Sequence, residues 1–96
     1  MSNVAITASV GKGGVNKNQD VITVQKLLNQ NIKAIAAPLL KVDGQIGSKT
    51  ISAIEAFQQK VMGIASPDGR VDPGGRTIKR LGSAETKEVV WPLKSN

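Results

Sequence analysis

Val21, Val24, Leu28 and Ile32 recur at the three- and four-residue intervals of one helical face, with Leu27 and Ile35 flanking it. This pattern predicts a first helix over about residues 19–33, with Asn18 as its N-cap and Asp20 favoured by the positive helix end. Pro38 ends any helical run and pushes Ala37 toward extended backbone. A second apolar face, Ile51, Ile54, Phe57 and Val61, predicts a helix over about residues 48–62, and Ala53 and Ala56 allow a neighbouring helix to approach closely. Ser48 can cap it, and Gly63 suits the left-handed position after its end. Further on, Gly74-Gly75 leads into Arg76, Thr77, Ile78 and Leu81, a short helix stopped by Gly82. Before all of these, Val4 to Val10 alternates imperfectly and predicts a short strand or extended arm, followed by a flexible loop, GKGGVNKN. After them, Ser83 or Thr86 can cap a final segment in which Val89, Val90 and Trp91 form an apolar cluster.

A local repeat ties the two later helices together. Asp43-Gly44 and Asp68-Gly69 are turn signals, because Asp bonds to its own backbone and Gly tolerates positive φ. Each is followed by an aliphatic plug, Ile46 or Val71, and then by Thr50 or Thr77 in the first turn of a helix. The second unit carries a two-residue insertion, Asp72-Pro73. In both units the Thr hydroxyl is expected to bond to nearby backbone.

Composition narrows the chemistry. The 96 residues suit one small domain, with 1–96 as its span, 18–82 as its core, and 1–17 and 83–96 as flanking arms. A chain of this size buries ~60–65% of its unfolded surface. There is no Cys, His or Tyr, and one Phe and one Trp. A His general base, a His-ligated metal and a serine–histidine relay are therefore excluded. The net charge of +6 attracts polyanions. However, the Lys and Arg are scattered, with only Lys79-Arg80 adjacent, and no interleaved aromatics offer base stacking, which argues against nucleic acid. No basic region precedes an apolar run at the start, and no apolar stretch approaches the ~20 residues that span a membrane.

Three tempting motifs fail on their spacing or local chemistry. Asp43 and Asp68 read as turn formers rather than as a glycosidase carboxylate pair. Asp20, Asp68 and Asp72 do not follow a Ca²⁺ loop. Neither GKGG nor DPGGR has the Gly-Lys-Ser/Thr of a phosphate loop. No metal and no cofactor is implied.

The stretch VITVQKLLN, a gap, and then VDGQIGSKTISAIEAFQ resembles the peptidoglycan-binding domain found on many cell-wall hydrolases. Val21, Gln25, Leu28, Val42, Asp43, Gly44, Ile46, Gly47, Thr50, Ala53, Ile54, Phe57 and Gln58 stand at matching places over about 40 residues. The flanks resemble the arms of such domains in wall-targeting bacterial proteins, including cargo of type VI and other contractile secretion systems. The resemblance implies an all-α fold, a small three-helix bundle with long connecting loops and a short extended N-terminal arm. It implies non-catalytic binding of peptidoglycan, through glycan strand or stem peptide, that anchors a wall-acting protein or secreted effector. The matching place would be the bacterial periplasm or cell wall, reached from the cytoplasm without a signal peptide. A catalytic domain or a secretion-system component would be its companion. The segment before Val-Asp-Gly, NIKAIAAPLLK, lacks the aromatics common in the family, which weakens sugar-face stacking.

The residues expected to meet such a ligand are Gln25, Asn29, Gln45, Ser48, Arg70 and Arg76, polar groups beside the turns and on polar helix faces. Amides bond N-acetyl and peptide groups, and Arg holds a carboxylate with two bonds. Asp43, Gly44, Ile46, Gly47, Thr50, Phe57, Asp68, Gly69 and Thr77 are expected to build the scaffold. Trp91 is expected in the core. An enzyme, a very small muramidase or amidase, is argued against by the missing His and Cys. A basic protein–protein interaction module, an adaptor or effector-delivery partner that keeps the fold without wall binding, is the alternative the charge permits.

Overall fold

The computed structural model describes residues 5–82; the expectations for Val4, Ser83, Thr86, Val89, Val90 and Trp91 lie outside them. The described chain is mostly helical. In order come β1 (Val10–Gly11), α1 (Asn18–Gln30), α2 (Ile32–Ile35), α3 (Ser48–Lys60), β2 (Arg70–Val71) and a helical stretch over residues 76–82, here α4. The two short strands pair antiparallel, with Val10 opposite Val71 and Gly11 opposite Arg70. The N-terminal arm thus closes onto the second Asp-Gly unit.

One apolar cluster holds these elements together. Val21, Val24 and Leu28 of α1 meet Ile54 and Phe57 of α3, Val10 and Val71 of the strand pair, and Ile78 and Leu81 of α4. Burying such side chains stabilises by about 1.5–3 kcal/mol each. Ile46, predicted as a plug, is partly buried against this cluster, and Val71, its counterpart, is fully buried.

The first predicted helix is broken at Asn31, whose φ of −106° and ψ of 16° leave the α region. The Asn31 side chain donates to the Leu27 carbonyl at 2.8 Å, taking an acceptor at the end of α1. The single turn α2 follows this break and brings Ile35 fully inside, while Ile32 is only partly buried. This reverses the order expected from one continuous helical face. α2 stops at Ala36, which adopts left-handed φ 52°, ψ 45°, two positions before Pro38. Lys60 at the end of α3 donates to the Ile35 carbonyl at 3.1 Å, so the two helix ends are tied together.

The expected caps are also reassigned. Lys17 and Gly47 are the N-cap residues of α1 and α3, and neither helix receives a side-chain cap bond. Asn18 instead donates to the Gly44 carbonyl at 3.2 Å, linking α1 to the first turn. Asp20 turns inward and holds the arm. It accepts from the Thr7 backbone N–H at 3.0 Å, the Thr7 hydroxyl at 2.8 Å and the Ala8 N–H at 3.0 Å. Burial alone would raise the Asp20 pKa, but these hydrogen bonds, helped by nearby Lys17, bring it below the usual carboxylate value. Gly63 fulfils its expected role: at φ 72° it lets the Ile64 N–H reach back to the Gln58 carbonyl at 2.9 Å.

Candidate functional site

Two buried glutamines organise the molecule. Gln25 lies on the inner face of α1 and is 1% exposed. Its Nε2 donates toward Asp43 Oδ1 at 3.2 Å, the Gln45 carbonyl at 3.3 Å and Thr50 Oγ1 at 3.2 Å. Its Oε1 accepts from the backbone N–H groups of Asp43 at 3.1 Å and Gly44 at 3.0 Å. Gln58 on α3 repeats the arrangement at the second turn. Its Nε2 donates to Asp68 Oδ1 at 2.9 Å, the Arg70 carbonyl at 3.1 Å and Thr77 Oγ1 at 3.3 Å, and its Oε1 accepts from Gly69 N–H at 3.0 Å.

The repeat seen in the sequence is therefore a repeated four-residue knot of Gln, Asp, Gly and Thr. Thr50 and Thr77 accept from a glutamine amide, rather than serving only their own backbone as expected. Gly44 and Gly69 are required because φ is 75° and 67° where the chain folds over the amide. Among the described residues, no buried side-chain nitrogen or oxygen is left without a partner.

The two aspartates are acceptors in these knots. Asp43 is held below the usual carboxylate range by the Gln45 backbone N–H and then by the Gln25 amide. Asp68 is held low by the Gln58 amide and then by the Arg70 backbone N–H. Both stay ionised, the opposite of the raised pKa a glycosidase needs in its proton donor.

A cleft of about 200 Å³ opens beside the second knot. Met62 and Ile64 give it an apolar wall, Arg70, Asp72 and Arg76 a charged one, and Gln58, Asp68 and Thr77 of the knot also line it. Arg70 Nε is fixed by Asp72 Oδ1 at 2.9 Å. Arg76 is exposed, and its side chain has no hydrogen-bond or ion-pair partner among the described residues.

A family model described as "Putative peptidoglycan binding domain" matches residues 17–81. The chain belongs to the peptidoglycan-binding domain family. No curated protein and no solved structure matches it. The family match runs from the N-cap of α1 into α4 and so takes in both knots and the cleft.

Within this peptidoglycan-binding domain the six expected ligand residues separate into three groups. Arg70 and Arg76 come together in the cleft. Gln45 and Ser48 are exposed at the first turn, away from that cleft. Gln25 and Asn29 face inward. Gln25 has every amide position engaged, and Asn29 clasps the connector, donating to the Leu40 carbonyl at 2.9 Å and accepting from the Leu40 N–H at 2.8 Å. These two side chains hold the turn and connector that present the surface residues. The expectations missed the cleft's apolar wall and the role of Gln58. Gln58 did carry a sequence signal, because Ile54-x-x-x-Gln58-x-x-Val61 repeats the spacing of Val21-x-x-x-Gln25-x-x-Leu28. Met62 and Ile64 carried no such signal, because they follow α3 in a segment without periodicity.

Among the described residues, no group of three or more Asp and Glu is placed to hold a metal ion. No described helix is long and apolar enough to cross a membrane.

Proposed function

We propose that this domain is a non-catalytic module that binds bacterial peptidoglycan and holds a larger wall-acting protein or secreted effector at the cell wall or in the periplasm. The observation that supports it most is the cleft, where a family match to peptidoglycan-binding domains coincides with an open Arg76, an oriented Arg70 and a small apolar wall. Residues 1–96 act as one unit in this reading. Arg70 and Arg76 contact the ligand, and Gln45 and Ser48 add a polar contact at the first turn. A single contact of this size is weak. Repetition of the ligand along the polymer raises the effective concentration and so the retention. The net charge of +6 adds approach to an anionic wall.

The test is co-sedimentation of the purified chain with insoluble sacculi at low and physiological salt, beside the Arg70→Ala/Arg76→Ala double variant. Pelleting that survives physiological salt, and falls in the variant, is expected. Absence of pelleting, or complete release at modest salt, would sink the reading and favour the alternative of a basic module with a protein partner.

A further inference from the structure

Resting on that reading, we propose that the cleft beside the second knot receives the carboxylate-bearing end of a short peptide with a small aliphatic last residue, and not the glycan strand. Three observations carry this.

The first is size. At about 200 Å³ the cleft falls below the ~300 Å³ at which pockets begin to enclose drug-sized ligands. An open cleft of that size encloses a chain end more completely than it encloses linked sugar rings.

The second is the charge pattern. The lining carries Arg70 and Arg76 but also Asp68 and Asp72. A polyanion gains little from such a balanced lining. A peptide end presents both a carboxylate and amide N–H groups. Arg70 is oriented by Asp72 through Nε, and no bond to another described residue engages its terminal nitrogens. The Arg76 side chain, without a partner among the described residues, offers a second planar fork for the same carboxylate. Asp72 Oδ1 is taken by Arg70 Nε, which leaves the second carboxylate oxygen for a ligand N–H.

The third is the apolar part of the lining. Met62 and Ile64 present aliphatic and thioether surface suited to a methyl or similar small side chain, with Met able to adapt its shape. Sugar faces stack best on aromatic rings, and the one aromatic among the described residues, Phe57, is fully buried in the core.

The experiment titrates ¹⁵N-labelled full chain with acetyl-Lys-D-Ala-D-Ala and with its C-terminal amide. In parallel it measures how far soluble glycan strands, freed of stem peptide by an amidase, and the tripeptide acid each release the chain from intact sacculi. We expect shifts at the amides of Gln58, Arg70 and Thr77 with the acid and about tenfold weaker binding of the amide. Release by the tripeptide acid, but not by free glycan strands, is also expected. Arg76→Gln should weaken the acid about tenfold, with Arg76→Lys between it and the parent, since Lys keeps the charge but not the fork. Retained helicity by circular dichroism shows that both variants fold.

Release by free glycan strands as complete as release by the tripeptide acid, or equal binding of acid and amide, overturns the inference while wall binding stands. No pelleting on intact sacculi together with no shifts overturns both.

Discussion

Replacing Gln25 by alanine distinguishes a scaffold residue from a ligand contact. In the folded chain the side chain is 1% exposed and makes five hydrogen bonds to the first turn and to Thr50. Alanine removes them all. The Gly44 N–H lies in buried surroundings, so losing its acceptor leaves an unsatisfied donor at a cost of about 1–3 kcal/mol. The vacated space adds a cavity term, smaller than the ~2–5 kcal/mol of an aliphatic deletion because less apolar surface is lost. The sum is about 3–5 kcal/mol, a large part of the ~5–15 kcal/mol that small domains possess. Urea unfolding followed by helical circular dichroism measures it. Gln30→Ala, exposed in the last turn of the same helix, serves as control and should stay within about 0.5 kcal/mol. A Gln25→Ala loss below about 1 kcal/mol, with an unchanged denaturant slope, would refute the claim that this amide holds the turn.

Two further predictions follow from the arm and the knots. Asp20, Asp43 and Asp68 all have folded pKa values below their ordinary ones, so each contributes stability above the unfolded carboxylate pKa near ~3.9 and loses it as pH falls toward the folded value. The urea midpoint should be flat from about pH 7 to 5 and fall below about pH 4, and Asp20→Ala should flatten part of that fall while destabilising neutral folds by about 1–3 kcal/mol. A midpoint that rises on acidification would contradict the assigned hydrogen bonds. Gly11 has φ 117° and faces the Gly69 carbonyl oxygen so closely that a Cβ would collide with it, whereas Gly13, at φ 72°, has open space around its Cβ position. Gly11→Ala should therefore cost at least about 2 kcal/mol and Gly13→Ala about 1 kcal/mol, read as thermal midpoints of the two variants; equal shifts would show that the strand pair is not held as described.

Periodicity located α1 and α3 to within a few residues, because Val21, Val24, Leu28, Ile54 and Phe57 need only a local 3.6-residue repeat to be recognised. It missed the break at Asn31. A side chain bonding back to Leu27 competes with the helix through local geometry that apolar spacing does not record. The caps were misassigned for a related reason. Asn18 and Ser48 are good cap residues in isolation, but Asn18 has a partner in Gly44, a residue distant in sequence.

The candidate site divides in the same way. The Asp-Gly turns, their plugs and the two arginines were legible, since turn chemistry and charge reside in single residues. That Gln25 faces inward while Arg70 and Arg76 share one cleft was not, because a polar residue beside a turn has the same local signature whether it is buried or exposed.

The amino-acid sequence by itself determined the helical segments, the paired Asp-Gly turns and the kinship with peptidoglycan-binding domains, all of which rest on residue types at short, fixed spacings. Only the tertiary structure decided that each turn is tied to a glutamine on a different helix, that the N-terminal arm pairs with β2, and that Met62 and Ile64 line one cleft with the arginines. Those arrangements depend on contacts between residues far apart along the chain. They form only when the aliphatic core packs and sets which side of each turn is buried.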